Sequence, residues 1–168
     1  MKKLHIAQFN IGRMLGPIDG PVMRGFVDRL DEINAIADGT PGFVWRLQTE
    51  AGNATYLRPY EDDDMIIVNM SVWETVEQLR EFVFSSKHSE LLRQRREWFE
   101  KMEKPITVVW WVPAGHVPSL DEAKKRLAHL QEHGPTPFAF NWRTTFPPDE
   151  EVVRATDWSA FEPCPAAV

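Results

Sequence analysis

The segment from Phe82 to Phe99, FVFSSKHSELLRQRREWF, places a histidine and an arginine where an amphipathic helix normally carries apolar side chains. At about 100° per residue, His88 and Arg95 fall in one stripe with Leu91, Leu92, Trp98 and Phe99. A neutral imidazole that opens into a cavity can accept a substrate proton or bind iron. In a packed core it would instead bond to a backbone carbonyl or to Asn69. Both interpretations of His88 are open at this stage.

The buried position predicted for Arg95 also has two interpretations. A guanidinium group suits a carboxylate, either that of a substrate or a haem propionate. The alternative is an ion pair with Asp31 or Glu32 of the first predicted helix, or with a partner chain, because an unpaired buried charge is costly.

Amide side chains recur on two of the predicted strands. Asn10 shares a face of the first strand with Gln8, and Asn69 shares a face of the third with Trp73. In a split βαβ sheet these strands are neighbours, so the amides are expected to form one polar spot in an apolar cavity. Such a spot could orient oxygen or an enolate, or it could be an amide pair that fixes strand register.

Aromatic residues are frequent on the strands. They offer a candidate surface for a flat ligand, with Trp73, Trp110 and the helical Phe82 as candidate substrate-binding residues. Tryptophans on strands are, however, first of all core and interface material.

The hydrophobic pattern predicts strands over 4–11, 43–49, 65–73, 106–112 and 138–146. Helices are expected from Val22, after Thr75 and after Ser119, the last two with capping-box patterns. A break is expected in the second helix near its two serines. The order β-α-β-β-α-β, followed by α-β, is the α+β, ferredoxin-like split βαβ arrangement with an extra C-terminal helix–strand unit.

Several strands are apolar on both faces, although helices would cover only one face of this sheet. A second copy of the chain is the simplest cover, so we predict a homodimer whose two sheets close into a barrel. The sequence divides into a domain over 1–146 and a Pro-rich, acidic tail over 147–168. The tail is expected to be loose except where Trp158 and Phe161 dock.

Composition narrows the function classes. The 168 residues carry a formal net charge of −6, which argues against nucleic acid as a partner. No apolar run is long enough to be a signal peptide or a membrane span, so the expected location is the cytoplasm. With a single cysteine, Cys164, and no ligand spacing typical of a metal site, no metal is expected.

Two stretches, SVWETVEQLREFVFSSKHSELLRQRREWF and WWVPAGHVPSLDEAKKRLAHLQEHGPTPFAFNW, resemble the DUF3291 family of uncharacterised proteins. That family belongs with the antibiotic-biosynthesis-monooxygenase-like dimeric α+β barrels. The resemblance runs from about Leu4 to Phe146. Its local signature is a strand ending in Trp, a capped helix, and a small residue and His before a basic helix with Trp-Phe.

The resemblance implies a small-molecule enzyme, monooxygenase-like and independent of cofactors, acting on a hydrophobic or aromatic substrate. His88 would be base or ligand, and Asn10 and Asn69 orienting amides. The haem-degrading branch of the superfamily implies haem bound through His88, although Phe82 stands where that branch has a Trp. A non-catalytic ligand-binding or interaction protein, with His88 and Arg95 structural, is the alternative from another class.

Overall fold

The computed structural model describes residues 3–84 and 86–156. Within these ranges the strands are β1 (Leu4–Arg13), β2 (Phe43–Arg46), β3 (Ile66–Trp73) and β4 (Thr107–Pro113). The helices are α1 (Arg24–Gly39), α2 (Val76–Phe84), α3 (Ser86–Gln94), α4 (Leu120–His133) and α5 (Glu150–Ala155). A 3-10 turn, Arg95–Glu97, follows α3.

The strands form one antiparallel sheet in the order β2-β3-β1-β4. This is the order of the ferredoxin-like split βαβ fold, so the predicted fold class is confirmed. Because β1 lies between β3 and β4, residues of β1 are paired on both sides. The strands β1 and β3 are neighbours, as the topology predicts, and in their register Asn10 is directly opposite Asn69 on β3 and Thr107 on β4.

Both predicted capping residues begin helices. The Thr75 hydroxyl accepts a hydrogen bond from the Gln78 backbone N–H at 3.2 Å, and the Ser119 hydroxyl accepts one from the Glu122 N–H at 3.1 Å. These bonds satisfy backbone donors that the first helical turn leaves without partners. They set where α2 leaves the end of β3 and where α4 turns back over the sheet.

The strand predicted over 138–146 is wrong. Phe140 forms a single bridge with Val109 of β4, with N···O distances of 2.8 and 2.9 Å. The Asn141 carboxamide then accepts bonds from the backbone N–H groups of Arg143 and Thr144, which turns the chain away from the sheet edge. A side chain that captures backbone donors in this way competes with a β-ladder.

The region after Pro147 contains a helix that the sequence analysis does not anticipate. Asp149 caps α5 by accepting bonds from two backbone N–H groups, and Val153 of α5 is buried. The proposed docking of Trp158 and Phe161 lies outside the described residues, as does the expected helix break at Ser85.

The second face of the sheet is covered by the same chain. Its side chains on β1, β3 and β4 form one core with Ala123, Leu127 and Leu130 of α4, to which residues of the 47–60 segment add. Phe9 and Trp110 at its centre are fully buried. The expectation that this face is bare without a partner is therefore wrong, because the extra helix folds back over it. The homodimer stays a prediction, and it no longer follows from an uncovered face.

A buried polar cluster fixes α4 on that face. Glu122, fully buried, accepts hydrogen bonds from the Trp110 indole N–H and pairs with the His116 imidazole, both at 2.7 Å. Arg126, one turn along α4, lies 3.9 Å from the same carboxylate and donates to the Phe138 carbonyl at 2.5 Å. Burial lowers the pKa of Arg126 to about 10, while the charge of Glu122 opposes that shift.

We expect Glu122→Ala to destabilise the protein by about 3–5 kcal/mol, because it removes the buried carboxylate that pairs with Arg126 and His116 and accepts from the Trp110 N–H. Urea unfolding followed by tryptophan fluorescence measures this loss. Glu132→Ala, on the exposed side of the same helix, is the control and should change the free energy of unfolding by under about 0.5 kcal/mol. Similar effects of the two substitutions would contradict a stabilising role for the cluster.

Candidate functional site

A cavity of about 340 Å³ lies between the helices α1 and α3 and the face of the sheet opposite α4, which we call the first face. Six of the seven side chains singled out from the sequence line it, namely Asn10, Asn69, Trp73, Phe82, His88 and Arg95. The seventh, Trp110, lies apart, buried on the second face and bonded to Glu122. The structure thus brings together candidates from two strands and two helices, together with the turn after α3.

The cavity exists because this part of the sheet carries polar or very small side chains. Gln8, Asn10 and Gly12 alternate along β1, and Asn69 and Ser71 alternate along β3. Apolar residues of α1 line the opposite side, and of its sixteen residues, all of them described, Ala37 alone is buried. A helix packs tightly onto a sheet when apolar side chains meet on both surfaces, and here one surface lacks them.

A row of hydrogen bonds runs along the sheet under the cavity. The Trp73 indole N–H donates to the Ser71 hydroxyl at 3.0 Å, and Ser71 donates to the Gln8 carbonyl oxygen at 3.2 Å. The Gln8 amide in turn donates to the Asn10 carbonyl oxygen at 2.6 Å. We call these four side chains the polar row. Every bond in it points the same way, which leaves the Asn10 NH₂ group as the donor at its end.

Asn69 is paired with Asn10 in the sheet register and is exposed. Among the residues that the structure describes, its carboxamide has no hydrogen-bond partner. The cavity surface therefore offers two neighbouring amides whose donors are available to a ligand oxygen.

His88 is held from one side. Its Nδ1 lies 2.7 Å from the Val83 carbonyl oxygen, and since a carbonyl only accepts, Nδ1 carries the proton. In the neutral ring Nε2 is then an acceptor, and within the described part of the chain no group donates to it. Burial lowers the pKa of His88 from its ordinary value of 6.5, an effect that the hydrogen bond to Val83 partly offsets. His88 is therefore a neutral base at pH 7.

Aromatic rings connect His88 to the polar row. The Phe82 ring stacks on the Trp73 indole with centroids 5.0 Å apart and an interplanar angle of 27°. The Phe82 ring also contacts the His88 ring, with centroids 4.9 Å apart. Because Trp73 begins the polar row, the imidazole and the row are positioned by one continuous set of contacts.

Arg95 lies on the cavity wall, in the turn that follows α3. The ion pair with Asp31 or Glu32 considered from the sequence is absent, and among the described residues Arg95 forms no salt bridge or hydrogen bond. Burial and the neighbouring charge of Arg96 lower the pKa of Arg95, but a guanidinium group remains charged at pH 7. The cavity thus contains a cation that no described residue neutralises through an ion pair.

Sequence reasoning missed Ser71 and gave Gln8 only a minor place. Both lie two residues from a candidate amide on the same strand face, which is the spacing that could have identified them.

No group of three metal-ligating side chains occurs among the described residues. None of the described helices has the length and apolar character needed to cross a membrane.

The family described as "Domain of unknown function (DUF3291)" matches residues 5–156. No curated protein matches the chain. Similar solved structures include a conserved protein from Methanosarcina mazei Go1, with 12% identity, a TM-score of 0.46, and coverage of 65% of this chain and 91% of that one.

Two further solved structures are similar to this chain. One is SnoaB, a cofactor-independent oxygenase from Streptomyces nogalater, with 16% identity, a TM-score of 0.44, and coverage of 69% of this chain and 96% of that one. The other is protein SO0527 from Shewanella oneidensis, with 9% identity, a TM-score of 0.44, and coverage of 65% and 89%. At these identities and TM-scores, the likenesses support no inference about activity.

We expect Ser71→Ala to cost about 1–3 kcal/mol of stability, because it leaves the buried Trp73 N–H without its acceptor and the Gln8 carbonyl without its donor. Thermal or urea unfolding measures the loss. Thr145→Ala, at an exposed position with no hydrogen bond to lose, is the matched control. Equal stability of Ser71→Ala and the wild type would show that the polar row does not hold the sheet surface in place.

Proposed function

The chain belongs to the DUF3291 family, a domain family of unknown function, and we propose that its cavity is the active site of a monooxygenase-like enzyme. In this proposal the enzyme uses no cofactor and acts on a hydrophobic, partly aromatic small molecule. The observation that supports the proposal is a neutral histidine facing the same cavity as two amide groups whose donors have no partner among the described residues.

His88 is the proposed base. Its Nδ1–H is held by the Val83 carbonyl, which fixes the tautomer and leaves Nε2 to take a proton from the substrate. A lowered pKa keeps the ring unprotonated near neutrality, so the base form is the resting form.

Asn10 and Asn69 are proposed to stabilise the anion that forms when the proton leaves. Asn10 ends the polar row as a donor, and Asn69 lies opposite it in the sheet. Donors already aimed at a developing negative charge lower the barrier because they need not reorganise, and the effect is larger where water is excluded. Trp73 and Phe82 supply flat surfaces for an aromatic substrate.

The chemistry balances with O₂ as the second substrate. His88 removes a proton from an acidic CH₂ group, and the resulting carbanion transfers electrons to O₂. One oxygen atom stays on the carbon as C=O, and the other leaves as water with the two hydrogens of the CH₂ group. The carbon loses four electrons and O₂ gains four, so no separate reductant is required.

The test is the oxidation of anthrone, an aromatic carbon acid, to anthraquinone, followed by absorbance and by oxygen uptake. We expect wild-type protein to accelerate the reaction, and His88→Gln to lower kcat by about a hundredfold or more. His133→Gln, which removes an exposed histidine, should leave the rate unchanged. Acceleration of the same size in wild type and His88→Gln would exclude His88 as the base.

The pH profile of the same assay is an internal check. Because burial lowers the pKa of His88, the active neutral form persists below pH 6.5, and kcat/KM should fall only as the pH drops further. A limb centred above pH 6.5 would point to another base.

Haem binding is the second candidate, favoured by one contact. A metal-ligating histidine usually donates its other N–H to a carbonyl, as His88 does to Val83, and Arg95 suits a propionate. His88 and Arg95 therefore fit haem as an iron ligand and a propionate partner. Phe82, however, supplies no N–H at the position where the haem-degrading branch has a tryptophan indole. Bound haem would supply redox and oxygen chemistry.

A hemin titration separates the two candidates. If haem binds through His88, the wild type should give a saturable Soret shift that His88→Ala loses and His133→Ala keeps. The cofactor-free proposal predicts no saturable, His88-dependent shift.

A further inference from the structure

The cavity has a charge opposite to that of the whole chain. The protein carries a formal net charge of −6, yet the cavity walls described by the structure include two cations, Arg46 and Arg95, and no aspartate or glutamate. Since acidic residues outnumber basic ones 25 to 19 overall, this lining departs from the composition of the chain. Such a cavity favours an anionic ligand over a cationic one.

The two arginines differ in whether the described residues already provide their guanidinium groups with partners. Arg46 is already engaged, because its guanidinium group bonds to the Asp38 carboxylate at 2.8 Å and to the Gly52 carbonyl at 2.7 Å. Arg95 has no such partner among the described residues, and burial disfavours its charge. Removing a guanidinium group partly from water without a partner costs free energy that a ligand anion would recover.

The segment that carries Arg95 is tied to the first helix. On α1, Arg29 donates to the Gln94 side chain and lies 5.4 Å from the Trp98 ring centroid, which ties α1 to the end of α3 beside Arg95. Arg95 lies seven positions after His88, a rise of about 10 Å along a helix. A ligand that extends along this wall of the cavity contacts both residues.

We propose that the ligand of this cavity is an elongated aromatic carboxylate, whose carboxylate binds the guanidinium group of Arg95 while its reacting end lies at His88. This inference rests on the proposed function, since it takes the cavity as the substrate site. It adds the charge and the shape of the substrate. The apolar side chains of α1 contact its ring system, and Arg95 sets its orientation.

The test compares two probes of one shape under nitrogen, so that no turnover occurs: 2-anthracenecarboxylate and the neutral 2-anthracenemethanol. Probe fluorescence gives Kd for wild type, Arg95→Gln, Arg95→Lys and Arg96→Gln. We expect wild type to bind the carboxylate about tenfold or more tightly than the alcohol, as a charge-assisted contact provides. Arg95→Gln should abolish this preference, and Arg95→Lys should keep part of it.

Arg96→Gln is the matched control, because Arg96 is adjacent and exposed and does not line the cavity. It should retain the preference, which separates a specific contact from general attraction. Equal affinity of the wild type for both probes, binding of neither, or a carboxylate preference that survives in Arg95→Gln would overturn the proposal. Circular dichroism checks that the variants fold. If Arg95→Gln does not fold, the comparison of wild type with Arg95→Lys replaces it, and an unchanged carboxylate preference in Arg95→Lys would then overturn the proposal.

The two proposals fail separately. An Arg95-dependent carboxylate preference without oxidation of anthrone would keep the ligand class and remove the reaction. Oxidation that depends on His88 without any carboxylate preference would keep the reaction and overturn the ligand class.

Discussion

The one-directional row of hydrogen bonds from Trp73 to Asn10 is the constraint on which the cavity depends. It fills positions on β1 and β3 that in a packed α+β domain would carry apolar side chains toward the helices. Polar side chains that satisfy one another can line a cavity, whereas buried polar groups without partners would be costly. The side chains of the polar row bond to one another, and only the donor at its end, on Asn10, is left over. The cavity surface can therefore be polar without many unpaired hydrogen-bonding groups.

The opposite face of the sheet compensates for that open surface. There α4 packs on fully buried apolar side chains such as Phe9 and Trp110, and Glu122 and Arg126 hold the helix in place. The division explains how a single sheet supports both a cavity and a core. Substitutions that loosen α4 should act on stability first, and substitutions around His88 on ligand binding first.

The alternation of side chains along the strands and the order of the elements along the chain predicted much of the fold. Period-two patterns placed Asn10 and Asn69 on their strands, and the split βαβ topology made those strands neighbours, but the register that sets the two amides directly opposite each other comes from the structure. The side-chain bonds of Ser71 depend on rotamers, which strand alternation does not specify. The strand over 138–146 failed because Asn141 bonds to the backbone two and three residues ahead. A pattern of apolar residues contains no sign of that competition, and it does not say on which face an added helix will fold.

His88 and Arg95 both face inward from one helical segment, and removing such groups from water costs free energy. His88 avoids most of that cost because it is neutral and its Nδ1–H is bonded to Val83. Arg95 cannot become neutral, so its position at the cavity without a partner among the described residues is the larger penalty. In the proposed complex, Arg95 and the amide donors of Asn10 and Asn69 would stabilise negative charge at the two ends of the bound molecule. A cavity of this polarity in a chain of net negative charge is better explained by an anionic ligand than by the packing of the fold.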